Sequence, residues 1–110
     1  MVRKISTKEL NEMVKDNKTP LVIDCYADWC MPCKYSSPMF LEMSQRYSNV
    51  RFAKVNVDEE PAIANAFKIQ GVPSFFILRG KKVVQKVVGA DLKKLETLLQ
   101  KEIKDHYNAS

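Results

Sequence analysis

Apolar positions along the chain follow two rhythms. Short continuous or alternating apolar runs mark strands, and apolar residues returning every three or four positions mark helices. Val2 to Ile5 reads as a short strand. Ser6 followed by Glu9 is a capping box, and Leu10, Met13 and Val14 outline a helix face up to about Asn17, before Lys18-Thr19-Pro20 breaks it. Leu21 to Tyr26, opening with Leu21-Val22-Ile23, reads as a buried central strand. Phe40, Met43 and Tyr47 predict a helix from about Met31 to Tyr47, with Pro38 inside it as a kink. Val50 to Val57 is a third strand. Asp58 reads as the N-cap, and Pro61 as the first turn, of a short helix ending near Phe67. Gly71-Val72-Pro73 is a turn. Ser74 to Leu78 and Val83 to Val88 form a hairpin around Gly80, and Gly89 ends its second strand. Asp91 caps a last helix with the stripe Leu92, Leu95, Leu98, Leu99 and Ile103, and His106 to Ser110 reads as a frayed tail.

The resulting order is β-α-β-α-β-α-β-β-α. Alternation of strands and helices predicts a parallel sheet, the hairpin adds an antiparallel edge, and helices should cover both faces. The expectation is an α/β fold with a central mixed five-stranded sheet flanked by four helices. With 110 residues and no repeat, linker or low-complexity segment, residues 1–110 are read as one domain, large enough for a core without disulfide staples.

Composition narrows the setting. No apolar run approaches membrane-spanning length, and the charged residues scattered through the first twenty positions leave no room for a signal-peptide core. A cytoplasmic protein is expected, in a compartment that keeps thiols reduced. The net charge is +5, with the basic excess strongest from Arg79 onward, but Asp91, Glu96, Glu102 and Asp105 interrupt it. With no run of five like charges and no aromatic interleaving, this reads as a solvated helical face, and no nucleic-acid or membrane partner is expected.

The chemistry concentrates in Ala27-Asp28-Trp29-Cys30-Met31-Pro32-Cys33-Lys34, at a strand-to-helix turn. Two cysteines three apart on a helical turn lie on one face, with α-carbons roughly 5–6 Å apart, as a disulfide requires. A bridge this short restrains the unfolded chain only modestly, which suits it to opening and closing. The free N–H groups and positive dipole end of the first turn stabilise a Cys30 thiolate. Cys33 lies further into the helix, should be less exposed, and is the resolving thiol.

With this ordered set the sequence resembles the thioredoxin family over nearly its whole length. The family's Trp-Cys-x-Pro-Cys-Lys signature matches Trp29-Cys30-Met31-Pro32-Cys33-Lys34, its buried aspartate matches Asp24, and its lysine on the next strand matches Lys54. Its cis-proline loop matches Gly71-Val72-Pro73-Ser74, its kink proline Pro38, and the glycine flanking its substrate groove Gly89. The resemblance implies sheet order 1-3-2-4-5 and a general protein-disulfide reductase. That protein would bind no cofactor and would be re-reduced by a flavin-containing thioredoxin reductase using NADPH. Targets of the peroxiredoxin, ribonucleotide reductase or sulfoxide reductase kind, and a monomeric state, complete the expectation.

The residues divide the work as follows on this reading. Cys30 attacks a target disulfide and Cys33 resolves the mixed disulfide. Asp24, desolvated on a central strand, takes the proton of Cys33 through a water, with Lys54 as its charge partner. Trp29, Met31, Pro32, Val72, Pro73 and Gly89 form the docking surface, the Val72 backbone pairing with an extended target. Each has a plainer alternative: a solvated strand-end acid for Asp24, a lysine snorkelling to solvent for Lys54, a core residue for Trp29, a trans turn proline for Pro73. Met31 replaces a frequent glycine and bears on redox potential, where about 30 mV is a tenfold change in the dithiol equilibrium. Cys25 reads as a buried core thiol. His106, the only histidine, lies far in sequence from the cysteines, which argues against a Cys-His pair. An oxidase or isomerase, a redox-inert scaffold and a metal site are the competing readings. The last is weakened by a single Cys-x-x-Cys pair.

Overall fold

The computed structural model describes residues 2–109, and the side chains of residues 2–105. Five strands and four helices follow the expected order: β1 (Arg3–Lys4), α1 (Thr7–Met13), β2 (Leu21–Tyr26), α2 (Met31–Arg46), β3 (Arg51–Asn56), α3 (Pro61–Ala66), β4 (Ser74–Arg79), β5 (Lys82–Val88) and α4 (Leu92–Ala109). The strands form one sheet in the order β1-β3-β2-β4-β5. β3 pairs in parallel with both β1 and β2, while β4 is antiparallel to β2 and to β5. A two-sided apolar sequence such as Leu21-Val22-Ile23 belongs at such a centre, because helices cover both faces.

Alternation along β2 sends side chains to opposite faces. Leu21, Ile23 and Cys25 pack with Leu10, Ile63, Phe76 and Leu78 on the α1/α3 side. Val22 packs with Phe40, Met43, Phe75, Leu95 and Leu99 on the α2/α4 side. Asp24 shares the parity of Val22 and faces α2. Cys25 is fully buried in the other core, as its reading as a core thiol requires. Burial of this thiol pushes its pKa far up, the nearby Asp24 charge adding to the shift, which keeps it inert.

Three boundaries depart from the pattern. The first helix ends at Met13 with Val14 as C-cap, short of Asn17. There the Arg51 guanidinium reaches in from β3 and donates to the carbonyls of Met13, Asp16 and Thr19, and the first of these is the acceptor that a helix continued to Asn17 would have used itself. Asp58 is not the cap of α3, which starts two residues later from Glu60 with no side-chain cap bond. Glu60 is engaged elsewhere, its carboxylate accepting from the Thr7 backbone at 2.8 Å and the Thr7 hydroxyl at 2.9 Å. Helical backbone in α4 continues past Ile103 to Ala109, into the segment expected to fray. The side chain of His106 and all of Ser110 lie outside the described residues. Ser6 and Glu9 do form the capping box, and Asp91 caps α4 by accepting from the Lys94 N–H at 3.0 Å.

The end of α3 generates a stability prediction. Phe67 is the C-cap, Lys68 N–H donates to the Asn65 carbonyl and Ile69 N–H to the Ala64 carbonyl, the two bonds of a Schellman motif. That motif puts Lys68 in the left-handed region at φ 54°, where a Cβ is unfavourable. Lys68 is exposed, so its side chain contributes little to offset this. Lys68→Gly should therefore stabilise the protein by about 1 kcal/mol, read as a higher urea midpoint with unchanged slope.

Candidate active site

After β2 the chain turns through Ala27, Asp28 and Trp29, and the Cys30 N–H donates to the Ala27 carbonyl at 3.2 Å. Cys30 is the N-cap of α2, with extended backbone (φ −89°, ψ 111°). Its Sγ accepts from the Cys33 N–H at 3.2 Å. Sulfur thus fills the place that a serine or aspartate oxygen takes at an ordinary cap. A Cys30 thiolate at this point receives an N–H bond and faces the positive end of a sixteen-residue helix. Pro32 sits in the first turn, where its missing N–H has no intrahelical partner to lose.

Cys30 and Cys33 are joined as a disulfide with α-carbons 5.3 Å apart. The expected difference in exposure is not found: Cys30 is 3% and Cys33 4% exposed. Bonded together, the two sulfurs are packed as a unit with Ala27 against Tyr26, Val57 and Val72. What separates them is hydrogen bonding, since only Cys30 occupies the cap.

Asp24 lies beneath this bridge. It is 3% exposed, and among the described residues its Oδ1 has no hydrogen-bond partner. A cavity of about 170 Å³ joins it to Cys33, with Tyr26, Asp28, Lys34, Ser37 and Lys54 also at its wall. Burial raises the Asp24 carboxyl to about pKa 7, against an opposing pull from the Lys54 charge. The solvated-acid alternative is thereby set aside. Lys54 pairs in register with Asp24 across β2 and β3, so both point toward α2. No ion pair within 4 Å joins them among the described residues. The Lys54 ammonium lies 5.7 Å from the Tyr26 ring centroid, and the residue is half-buried. It acts on Asp24 through space and at the same time reaches outward.

The rim is apolar, exposed at Trp29, Met31 and Pro32, half-buried at Val72 and Gly89, and buried at Pro73. Trp29 is 70% exposed, which excludes a core role, and its indole Nε1 donates to Asp58 Oδ2 at 2.9 Å. Asp58 was expected at a helix cap and instead steadies the tryptophan. Asn56, buried at the end of β3, was not singled out from the sequence. Its Oδ1 accepts from the backbone of Asp58 and Glu59, and its Nδ2 donates to Asp28 at 3.3 Å. An Asn two residues before Asp58 at a strand end is the Asx-turn signal that marks it. The Val72–Pro73 peptide is cis, so the trans alternative falls, and Val72 packs on the cysteine cluster. Gly89, at φ 97°, donates its N–H to the Pro73 carbonyl at 2.8 Å. Met31, Pro32, Tyr35 and Val88 are exposed. Cys30, Cys33, Asp24 and Lys54 are therefore brought together below, and Trp29, Met31, Pro32, Val72, Pro73 and Gly89 above. Among the described residues no three His, Cys, Asp or Glu side chains gather as a metal site, and no helix is long and apolar enough to cross a membrane.

Comparison with known proteins agrees with this geometry. A family model described as Thioredoxin matches residues 1–104. A thioredoxin of Alternaria alternata is 41% identical over 95 residues, spanning 86% of this chain and 80% of its own length. The solved Plasmodium falciparum thioredoxin superposes with a TM-score of 0.85 at 30% identity, over 91% of this chain and 98% of that one. A yeast structure, solved to explain thiol resolution in a mitochondrial 1-Cys peroxiredoxin by the glutathione and thioredoxin systems, aligns at TM-score 0.79 and 36% identity over 94% of both chains.

The buried carboxyl has a measurable consequence for stability. Its folded pKa of about 7 stands above the unfolded value of 3.8. Between these pH values the unfolded chain has released the proton and the folded chain retains it, so this group makes the fold less stable as pH rises and the loss is complete above pH 7. Asp24→Asn removes that penalty but leaves a buried amide. We expect the oxidised variant to exceed the parent by about 2 kcal/mol at pH 8 and to lose the advantage near pH 4, measured by urea unfolding at both pH values.

Proposed function

The chain belongs to the thioredoxin family and is a thiol–disulfide oxidoreductase acting on protein disulfides, and we propose that Cys30 is its attacking thiol, Cys33 its resolving thiol and Asp24 the carrier of the resolving proton. The observation that carries this division is the cap: Cys30 Sγ alone accepts the first-turn N–H. The Cys30 thiolate attacks one sulfur of the target disulfide, a mixed disulfide forms, and the other target sulfur leaves as a thiolate. Cys33 then attacks Cys30 Sγ and releases the second target thiolate. Two electrons pass to the target, and Cys30 and Cys33 end as a disulfide.

For that second step Cys33 must lose its proton. The Asp24 carboxyl faces the same cavity, and its elevated pKa suits it to accept a proton and return it near neutral pH. Lys54 tempers that pKa through its charge. Trp29, Met31, Pro32 and Gly89 offer apolar contact around the bridge, and the backbone beside the cis Val72–Pro73 bond pairs with an extended stretch of target. Electrons return from NADPH through a flavin-containing thioredoxin reductase, in the cytosol, with the protein working as a monomer. The likeness to the yeast structure concerned with 1-Cys peroxiredoxin resolution supports a peroxiredoxin as the target, with ribonucleotide reductase or a sulfoxide reductase as the alternatives.

Two measurements test this. Equilibrated against defined thiol buffers and read by Trp29 fluorescence, the Cys30/Cys33 couple should be more reducing than glutathione. A potential at or above that couple would turn the reading to an oxidase or isomerase. With a protein disulfide as target, Cys33→Ser should accumulate a mixed disulfide at Cys30, while Cys30→Ser should form none. The reverse pattern would exchange the two thiols' roles.

A further inference from the structure

The Asp24 carboxyl stands at the junction of two cavities. The first, described above, reaches Cys33 and has the exposed Asp28 and Lys34 at its wall. The second, of about 150 Å³, lies toward the sheet edge under Val2, Phe40 and Leu41. Asp24, Ser37 and Lys54 line both. Each cavity exceeds what a water molecule needs, and each has polar groups to hold one.

Ser37 follows Cys33 by one helical turn, so it sits on the same face of α2, beyond the resolving thiol. It is exposed, and among the described residues its hydroxyl makes no hydrogen bond to protein. Its neighbour Ser36 is different: that hydroxyl is buried and donates to the Cys33 carbonyl at 3.2 Å. The groups facing Asp24 are Lys54 from β3, Tyr26 at the end of β2, Asp28 in the following turn, and Cys33, Lys34 and Ser37 from α2. Of the two that reach both cavities with Asp24, Lys54 in its charged form has only donors, whereas a hydroxyl both accepts and donates.

The first cavity joins Asp24 to Cys33, and the second offers the carboxyl a separate route away from the reacting thiols. We propose that Ser37 is a proton-relay residue, its hydroxyl linking the Asp24 carboxyl through the second cavity to solvent near Val2 and Leu41. It acts through Asp24 and is a positioning residue. The inference rests on the assignment of Asp24 as carrier of the resolving proton.

The test is single-turnover reduction of a protein disulfide at pH 7, with closure of the Cys30–Cys33 bridge followed by Trp29 fluorescence. Ser37→Val and Ser37→Thr have nearly the same shape, and only threonine keeps the hydroxyl. Valine should slow bridge closure by about tenfold, threonine should restore it to within about twofold, and valine should add nothing in an Asp24→Asn background. Valine as fast as the parent, threonine as slow as valine, or equal slowing by valine in the Asp24→Asn background would each overturn the relay. A slow Asp24→Asn beside a fast Ser37→Val defeats the relay alone. An Asp24→Asn variant as fast as the parent defeats the Asp24 assignment and the relay with it.

Discussion

Asp24 is held in an apolar interior because the register of β2 leaves its side chain nowhere else to point. The strand is paired on both sides, to β3 and to β4, and alternation along it places Ile23 and Cys25 in one core and Val22 and Asp24 in the other. A slip of one residue would send Asp24 into the α1/α3 core and bring Cys25 to the cavity under the bridge. The surrounding apolar residues stabilise that register strongly enough to carry one desolvated carboxyl. The same desolvation that lowers stability at neutral pH moves the carboxyl's proton affinity into the working range. On the role proposed for Asp24, cost and chemistry have a single cause.

Around that point the site uses backbone that regular structure leaves spare. The first turn of α2 has unclaimed N–H groups, and Cys30 takes one of them with sulfur. The cis bond before Pro73 and the positive φ of Gly89 are joined by the 2.8 Å bond from the Gly89 N–H to the Pro73 carbonyl. The Asx turn of Asn56 sets Asp58 where it receives the Trp29 indole. The loops after β2, after β3, before β4 and after β5 are thus tied down locally by a few hydrogen bonds. The bridge itself rests on a small packed cluster with Ala27, Tyr26, Val57 and Val72.

Strand and helix order was legible because burial on one or both faces writes a period into the sequence, and Leu21 to Tyr26 and the Leu92 to Ile103 stripe carry that period plainly. The cysteine pair, Asp24 and the cis-proline loop were legible from an ordered motif. What stayed hidden depends on partners distant in sequence. Arg51 meets the end of α1 from thirty-odd residues away, taking the Met13 carbonyl and the Asp16 carbonyl just beyond it, and nothing within Thr7–Asn17 announces it. Glu60 is drawn to Thr7 across fifty-three positions, and Asp58 is met by Trp29 across twenty-nine. Local propensity made Asp58 a good cap, and tertiary hydrogen bonding gave it other work. The equal burial of Cys30 and Cys33 likewise follows from the bond between them, which helical position alone does not express.

The rim shows what kind of recognition this site supports. Trp29, Met31, Tyr35 and Val88 are large apolar side chains left in water, a costly arrangement for a protein whose remaining surface is well supplied with charge. Charges near the bridge are mixed in sign, Lys34 standing against Asp28 and Asp58. A strongly charged rim would select targets by complementary charge. Apolar contact and main-chain pairing discriminate little among side chains, because every target offers a backbone and most offer some apolar surface. On the proposed reading, selection then falls on the one feature that the buried machinery demands, an accessible disulfide that can reach Cys30. On that reading, breadth of targets and strictness of chemistry come from separate layers of the same small surface, the rim above and the cap and carboxyl below.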